Sequence, residues 1–203
     1  PRDWSSDVCS SDLVSAGEIT QANLQPPRVP TQIEADWLWH FLQKADGGRT
    51  LLDRALVIAG MSLAEKAALR TWGQAVAALA AQFQPNPSAW PRSKPEIPDA
   101  AWQAFRELME AFYRKGLRSG LPYAANGTPV SNGGMTYAGF LQAFRAAHQL
   151  NPVAHAREVC VLCGGPLGQT PEVDHWIAVS AFPLLSVCAD NLLPICGECN
   201  STS

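Results

Sequence analysis

Two Cys-x-x-Cys pairs near the end of the sequence constrain the fold of this chain more than any other feature. Cys160 and Cys163 form the first pair, and Cys196 and Cys199 form the second after 32 intervening residues. Each pair can direct two thiolates at one tetrahedral ion, and four thiolates close the coordination shell of zinc. The spacing therefore predicts a structural zinc site, which in a small unit contributes on the order of 10 kcal/mol of folding free energy.

The other two of the six cysteines, Cys9 and Cys188, lie outside this spacing. We assign Cys9 no role, because it lies in a Ser/Asp-rich stretch without helical or strand periodicity. Cys188 is predicted to be a small buried residue, as free cysteines often are. A disulfide framework and a redox pair are alternative interpretations, but two Cys-x-x-Cys pairs in an otherwise cysteine-poor chain favour a metal.

The chain divides by composition into three parts. Residues 1–30 are predicted to be a disordered or foreign segment that ends in the proline-rich linker QPPRVP. Residues 31–150 are predicted to form a helical domain of unknown role, and residues 151–203 a small zinc-stapled domain. The predicted fold class is therefore mainly α. The clearest helix signal is the capping box Ser62–Glu65, which opens an apolar run of Leu69, Trp72, Val76, Leu79 and Phe83.

Charge is distributed unevenly along the chain, whose net charge is −3. Residues 30–157 carry 13 Lys/Arg against 9 Asp/Glu, whereas five acidic and no basic residues follow from Glu158 onward. Three basic residues, Arg114, Lys115 and Arg118, crowd the predicted C-terminal end of a helix that begins near Asp99. They either complement the helix dipole or contact phosphate.

The sequence gives no sign of a membrane segment. No apolar run approaches the roughly 20 residues that span a bilayer, and the N-terminus lacks the basic, apolar and small-residue pattern of a secretory signal. We therefore expect no membrane partner and a cytoplasmic location.

Four polar residues lie between and after the cysteine pairs. Asp174 and His175 are adjacent in a short strand-like run, so they are expected to face opposite ways. Asn191 precedes a short apolar strand, and Asn200 directly follows the last cysteine. The order Cys-x-x-Cys, Asp-His, Asn-Leu, Cys-x-x-Cys-Asn resembles the HNH endonuclease motif of the ββα-metal fold, in its zinc-binding four-cysteine branch and as an HNN variant. The resemblance covers about a fifth of the chain, residues 160–200.

The resemblance implies an enzyme that hydrolyses phosphodiester bonds in DNA. His175 would be the general base, since histidine titrates near neutral pH. Asp174 and Asn200 would hold one divalent cation, and oxygen ligands favour Mg²⁺ or Mn²⁺ over zinc. Asn191 would brace the loop that orients His175. DNA is the expected partner, a protein partner could bind the helical region, and the resemblance suggests bacterial defence or DNA processing.

A non-catalytic zinc-binding interaction module is the alternative function. A structural zinc site needs none of Asp174, His175 and Asn200, so their combination favours the nuclease. The closing helix of the family normally continues past the position of Asn200, and we therefore expect a truncated C-terminus. Trp176 is expected to pack against the zinc-stapled domain rather than to stack on a base.

Overall fold

The computed structural model describes residues 19–85, 90–150, 153 and 158–200, and Cys9 lies outside them. About half of the described residues are helical, which confirms the mainly α fold class. No helix in this part of the chain combines the length and apolar character needed to cross a bilayer. In chain order the helices and strands are α1 (Gln32–Leu42), β1 (Ala45–Asp46), β2 (Arg49–Thr50), α2 (Leu51–Ala59), α3 (Leu63–Ala77), α4 (Asp99–Ala111), α5 (Tyr137–Gln149), β3 (Glu172–His175), β4 (Leu192–Ile195) and α6 (Gly197–Asn200).

Helix α3 begins at the predicted capping box. The hydroxyl of Ser62 accepts a hydrogen bond from the Glu65 amide at 3.3 Å, and the Glu65 carboxylate accepts one from the Ser62 amide at 2.7 Å. The helix ends at Ala77, earlier than the apolar run predicts, and the 3₁₀ segment Leu79–Phe83 follows it. The buried face of the helix includes Leu69, Trp72 and Val76, as predicted.

The main hydrophobic core lies between α1, α2, α3 and α4, and it also includes a segment from the C-terminal part of the chain. This segment is the 3₁₀ turn Pro183–Val187, in which Leu184 and Leu185 are fully buried. Beside the turn, the ring of Phe182 stacks on Trp72 with centroids 6.1 Å apart. The stretch between β3 and β4 is therefore built into the core of the helical region.

Residues 19–30 also pack against the helices, although composition assigns them to a disordered segment and linker. Leu24 is fully buried and Val29 is buried. Their burial depends on contacts with residues distant in sequence, and a proline-rich stretch without periodicity carries no local sign of such contacts.

A buried ionic cluster joins the β1–β2 hairpin to α2 and α4. Asp46 pairs with Arg54 and Lys115 at 3.2 Å each and with Arg114 at 3.3 Å. Arg54 also pairs with Glu107 at 2.7 Å. Burial raises the pKa of Asp46, but the hydrogen bond from Lys115 and the charges of Arg114, Lys115 and Arg54 outweigh it and lower the pKa from 3.8. Arg114 and Lys115, two of the three basic residues that follow α4, thus form ion pairs within the fold.

Replacing Asp46 with asparagine is expected to lower the free energy of unfolding at pH 7 by about 3 kcal/mol, because the buried guanidinium of Arg54 loses a charged partner. A lowered pKa stabilises the fold above the ordinary carboxyl pKa, and this contribution is lost as pH falls through the lowered value. Wild-type stability should therefore fall below about pH 4, and Asp46→Asn should lose less there. Urea unfolding at several pH values measures both effects.

The exposed Asp36 of α1 offers a matched control for this variant. Asp36→Asn is expected to change the free energy of unfolding by about 0.5 kcal/mol or less. Equal losses in Asp46→Asn and Asp36→Asn would contradict the assignment of a stabilising cluster.

Strands β3 and β4 form a two-stranded antiparallel sheet, with Glu172 opposite Ile195 and His175 opposite Leu192. Helix α6 follows β4, so the C-terminal elements have a strand–strand–helix order. A small separate core supports them, formed by Cys160, Leu167 and Ile195 with Phe144 of α5 packed against it.

Candidate active site

The four cysteines of the two pairs converge on one point. The Sγ atoms of Cys160 and Cys199 are 3.8 Å apart, and those of Cys163 and Cys196 are 3.9 Å apart. All four sulfur atoms lie within 4.8 Å of one another. Zn–S bonds of about 2.3 Å in a tetrahedron place sulfur atoms about 3.8 Å apart. The predicted cysteine cluster is confirmed, and its geometry could bind a zinc ion.

A tight turn positions the first cysteine pair. The Gly164 amide donates to the Cys160 carbonyl at 2.9 Å, and the Cys160 amide donates to the Gly165 carbonyl at 2.8 Å. Gly164 has a φ of +71°, a left-handed conformation that favours glycine. The Gly165 amide also approaches the Cys163 sulfur at 3.4 Å. The two glycines after Cys163 therefore shape the turn and help to orient its thiols.

The local environment sets different proton affinities for the thiols. Burial raises the pKa of Cys160, but amides of Cys163, Cys196 and Leu162 point at its sulfur and lower the pKa to about 6. Hydrogen bonds with the Cys196 and Cys163 thiols raise the pKa of Cys199 to about 12. Amide groups from both pairs thus stabilise negative charge inside the cluster, as a site for metal thiolates requires.

The imidazole of His175 is held by contacts with other parts of the chain. Its Nε2 lies 2.9 Å from the carbonyl oxygen of Ser186, and the buried Ser186 hydroxyl donates to the Met109 carbonyl of α4 at 2.6 Å. The ring of Tyr113 packs edge-on against the imidazole, with centroids 4.6 Å apart. Because a carbonyl only accepts, Nε2 is assigned the proton, and the lone pair of the neutral ring lies on Nδ1.

Asn191 is fully buried beside the loop that follows His175. Its Nδ2 donates to the carbonyls of Ile177 at 3.1 Å and Leu185 at 3.2 Å, and its Oδ1 accepts from the Ile177 amide at 2.7 Å. Its own carbonyl accepts from the Trp176 amide at 3.0 Å. These bonds fix the chain immediately after His175, which is where the predicted bracing role requires them.

Asn191→Ala is expected to lower the free energy of unfolding by about 3 kcal/mol or more, because buried amide and carbonyl groups lose their partners at about 1–3 kcal/mol each. Chemical denaturation measures the loss. Asn126→Ala is the matched control, since Asn126 is exposed in a loop and accepts one bond from the Thr128 amide at 3.0 Å. A loss no larger than that of the control would contradict the bracing role.

Oxygen-bearing side chains gather along one face of β3. Glu172 and Asp174 are two residues apart on this strand and therefore point to the same face. Asp174 accepts from the His175 amide at 2.7 Å, and the Asn200 Nδ2 donates to the Glu172 carboxylate. The amide nitrogen of Asn200 thus contacts Glu172, and its Oδ1 is the atom with which it could coordinate a cation. Sequence reasoning missed Glu172, although the Glu-x-Asp spacing in a strand was available to suggest it.

Two tyrosines from the helical region hold β3 in place. The Tyr113 hydroxyl donates to the Val173 carbonyl at 2.8 Å, and the Val173 amide donates to the Tyr137 hydroxyl at 2.7 Å. Burial, together with nearby Tyr137 and the charge of Asp174, raises the pKa of Tyr113 to about 12, and Arg118 opposes the shift. Neither tyrosine was predicted, because their contacts lie 60 and 36 residues away in sequence.

Two neighbouring predictions have different outcomes. Cys188 is buried, as predicted. Trp176 is 65% exposed, so the expectation that it packs against the domain is wrong. Trp176 follows the last residue of β3 and lies in a bend of the chain.

Comparison with known proteins shows a short similarity to a phage protein. A segment of 43 residues, 21% of the chain, is 42% identical to part of Protein ea31 of Escherichia phage lambda and covers 14% of that protein. No protein-family model matches the sequence. No solved structure matches the chain either. The interpretation of the site therefore depends on its own geometry.

Proposed function

We propose that the chain is a metal-dependent DNA endonuclease of the HNH type, with His175 as its general base. The observation that carries this proposal is the hydrogen bond between His175 Nε2 and the Ser186 carbonyl. It assigns the ring proton of the neutral tautomer to Nε2 and so leaves Nδ1 as the nitrogen that can accept a proton. A general base requires such an oriented lone pair within reach of its substrate. The half-buried position of His175 keeps the ring fixed by the protein while leaving part of it open to water.

The side-chain oxygens of Asp174 and Asn200 are the proposed ligands of one divalent cation. Asp174 and Asn200 would hold the cation, with Glu172 orienting the Asn200 amide through their hydrogen bond. Carboxylate and amide oxygens suit Mg²⁺ or Mn²⁺. When bound, the cation supplies positive charge that stabilises the scissile phosphate and the leaving 3′ oxygen.

The chemistry of His175 follows from its orientation. Nδ1 accepts a proton from a water molecule, and the water oxygen forms a bond to phosphorus while the bond from phosphorus to the 3′ oxygen breaks. The 3′ oxygen leaves with the electron pair and takes a proton from solvent, and the imidazolium returns its proton to solvent. Tyr113 and the Ser186 carbonyl keep the ring in one orientation throughout, which general-base catalysis requires.

The cysteine cluster has a separate, structural role in this proposal. Four thiolates would close the coordination shell of zinc, so no position remains for water or substrate. The cluster instead fixes both ends of the segment that carries Asp174 and His175, because one pair precedes β3 and the other follows β4.

Nicking of supercoiled plasmid DNA tests the proposal. The purified chain is incubated with Mg²⁺, with Mn²⁺ and with EDTA, and open-circular and linear products are separated on agarose. Product is expected with a divalent cation and not with EDTA. A zinc-loaded, folded protein that yields no product with either cation would contradict the nuclease and favour the non-catalytic interaction module.

A further inference from the structure

The basic residues that follow α4 divide into two groups in the structure. Arg114 and Lys115 form ion pairs with Asp46. Arg118 is exposed and forms no ion pair with a carboxylate in the part of the chain that the structure describes. Dipole complementation and ion pairing thus account for the first two residues, and the positive charge of Arg118 is left facing solvent.

A π-helical segment, Phe112–Leu117, sets the direction of Arg118. In an α-helix, residues five apart differ by about 140° around the axis. In a π-helix the hydrogen bond joins residues five apart, so they differ by only about 50° around the axis. Tyr113 and Arg118 are five residues apart across this segment, so Arg118 lies on the side of the helix that carries Tyr113.

The side of the helix that carries Tyr113 faces β3. The Tyr113 hydroxyl binds the Val173 carbonyl of β3 at 2.8 Å, and its ring contacts His175. The charge of Arg118 lowers the pKa of Tyr113, whereas Asp174 raises it. The guanidinium and the carboxylate therefore both act on one hydroxyl group, which agrees with the placement that the π-helical geometry gives.

We propose that Arg118 binds a phosphate of duplex DNA beside the scissile bond. The proposal rests on the proposed nuclease function, because the Cys160–Asn200 segment has acidic residues but no lysine or arginine with which to hold a polyanion. A guanidinium suits this role, since its planar donors match phosphate oxygens in pairs. Arg118 is thus a DNA-binding residue contributed by the helical region.

Salt-dependent DNA binding tests the role of Arg118. A fluorescein-labelled duplex is titrated with the full chain by anisotropy at several NaCl concentrations, without divalent cation. Each phosphate contact adds roughly one unit to the slope of log K against log salt concentration. Arg118→Gln is expected to reduce that slope by about 1. Arg118→Lys should restore most of it.

Arg114→Gln is the matched control, because it removes the same charge four residues earlier on the same helix from a side chain that Asp46 already engages. It should retain the wild-type slope. In plasmid nicking, Arg118→Gln should raise KM with little change in kcat. An Arg118→Gln slope equal to that of wild type or of Arg114→Gln would overturn the inference, and so would a wild-type chain that does not bind DNA.

The same experiments separate this inference from the proposed function. If the wild-type chain and Arg118→Gln nick DNA equally well and bind it with the same salt dependence, the proposed nuclease function stands and the role of Arg118 is overturned. If the wild-type chain binds DNA with a salt slope that depends on Arg118 but cleaves no plasmid, the DNA-binding role of Arg118 stands and the proposed nuclease function is overturned.

Discussion

His175→Ala is expected to slow plasmid nicking by about 10²- to 10⁴-fold, the usual contribution of a positioned general base. The variant removes Nδ1 and leaves Asp174, Asn200 and the cysteine cluster in place. Because the imidazole also contacts Tyr113 and the Ser186 carbonyl, some loss of stability is expected as well. Initial rates are therefore measured well below the melting temperature of the variant, with zinc content determined for each preparation.

A histidine on α5 provides the matched control for this experiment. His148 stacks on Phe144 at 3.8 Å, and its Nδ1 lies 3.0 Å from the Phe144 carbonyl, so it resembles His175 in having a ring contact and a carbonyl partner. His148→Ala should nick plasmid at close to the wild-type rate. Full activity in His175→Ala would rule out the general base proposed above.

Cys163→Ser is expected to release the zinc ion and to unfold the segment that holds β3, β4 and α6. Cys163 is exposed, so the substitution disturbs no core packing and its effect reports on metal binding. Binding of a structural zinc ion is worth on the order of 10 kcal/mol, and the small core beside it offers little to replace that energy. The activity of His175 should be lost together with the metal.

Native mass spectrometry counts the zinc ions, and hydrogen exchange locates the unfolding. Faster exchange is expected over residues 158–175 and 192–200, while α1 to α4 keep their protection because their core does not depend on the metal. Cys188→Ala is the matched control, since Cys188 is a buried cysteine of the main core outside the cluster. A Cys163→Ser variant that binds one zinc ion and has wild-type hydrogen-exchange rates would show that the cluster does not stabilise this segment.

Features encoded by nearby residues could be predicted from the sequence. The spacing of the cysteine pairs predicted their convergence, because each turn is closed by bonds within a few residues, such as that between the Cys160 amide and the Gly165 carbonyl. The capping box at Ser62 and the burial of Cys188 were local in the same sense. The HNH chemistry itself stays a prediction that the experiments above address.

Features created by distant contacts could not be predicted. Ser186 and Tyr113 hold His175 only because the stretch between β3 and β4 folds back onto α4, and no periodicity reports such a contact. The π-helical segment gave no sequence signal either. Trp176 was mispredicted because an aromatic residue next to a motif suggests packing, whereas most of its side chain is exposed.

The turn at Pro183–Val187 makes the proposed catalysis conditional on the folding of another region. Its two leucines are fully buried among the helices, and its Ser186 carbonyl orients the imidazole of His175. A fragment without the helical region would lose the core that buries this turn, and with it the fixed carbonyl that orients the imidazole. Removal of the helical region should therefore abolish the proposed nuclease activity. A newly synthesised chain would not cleave DNA until its helices had folded.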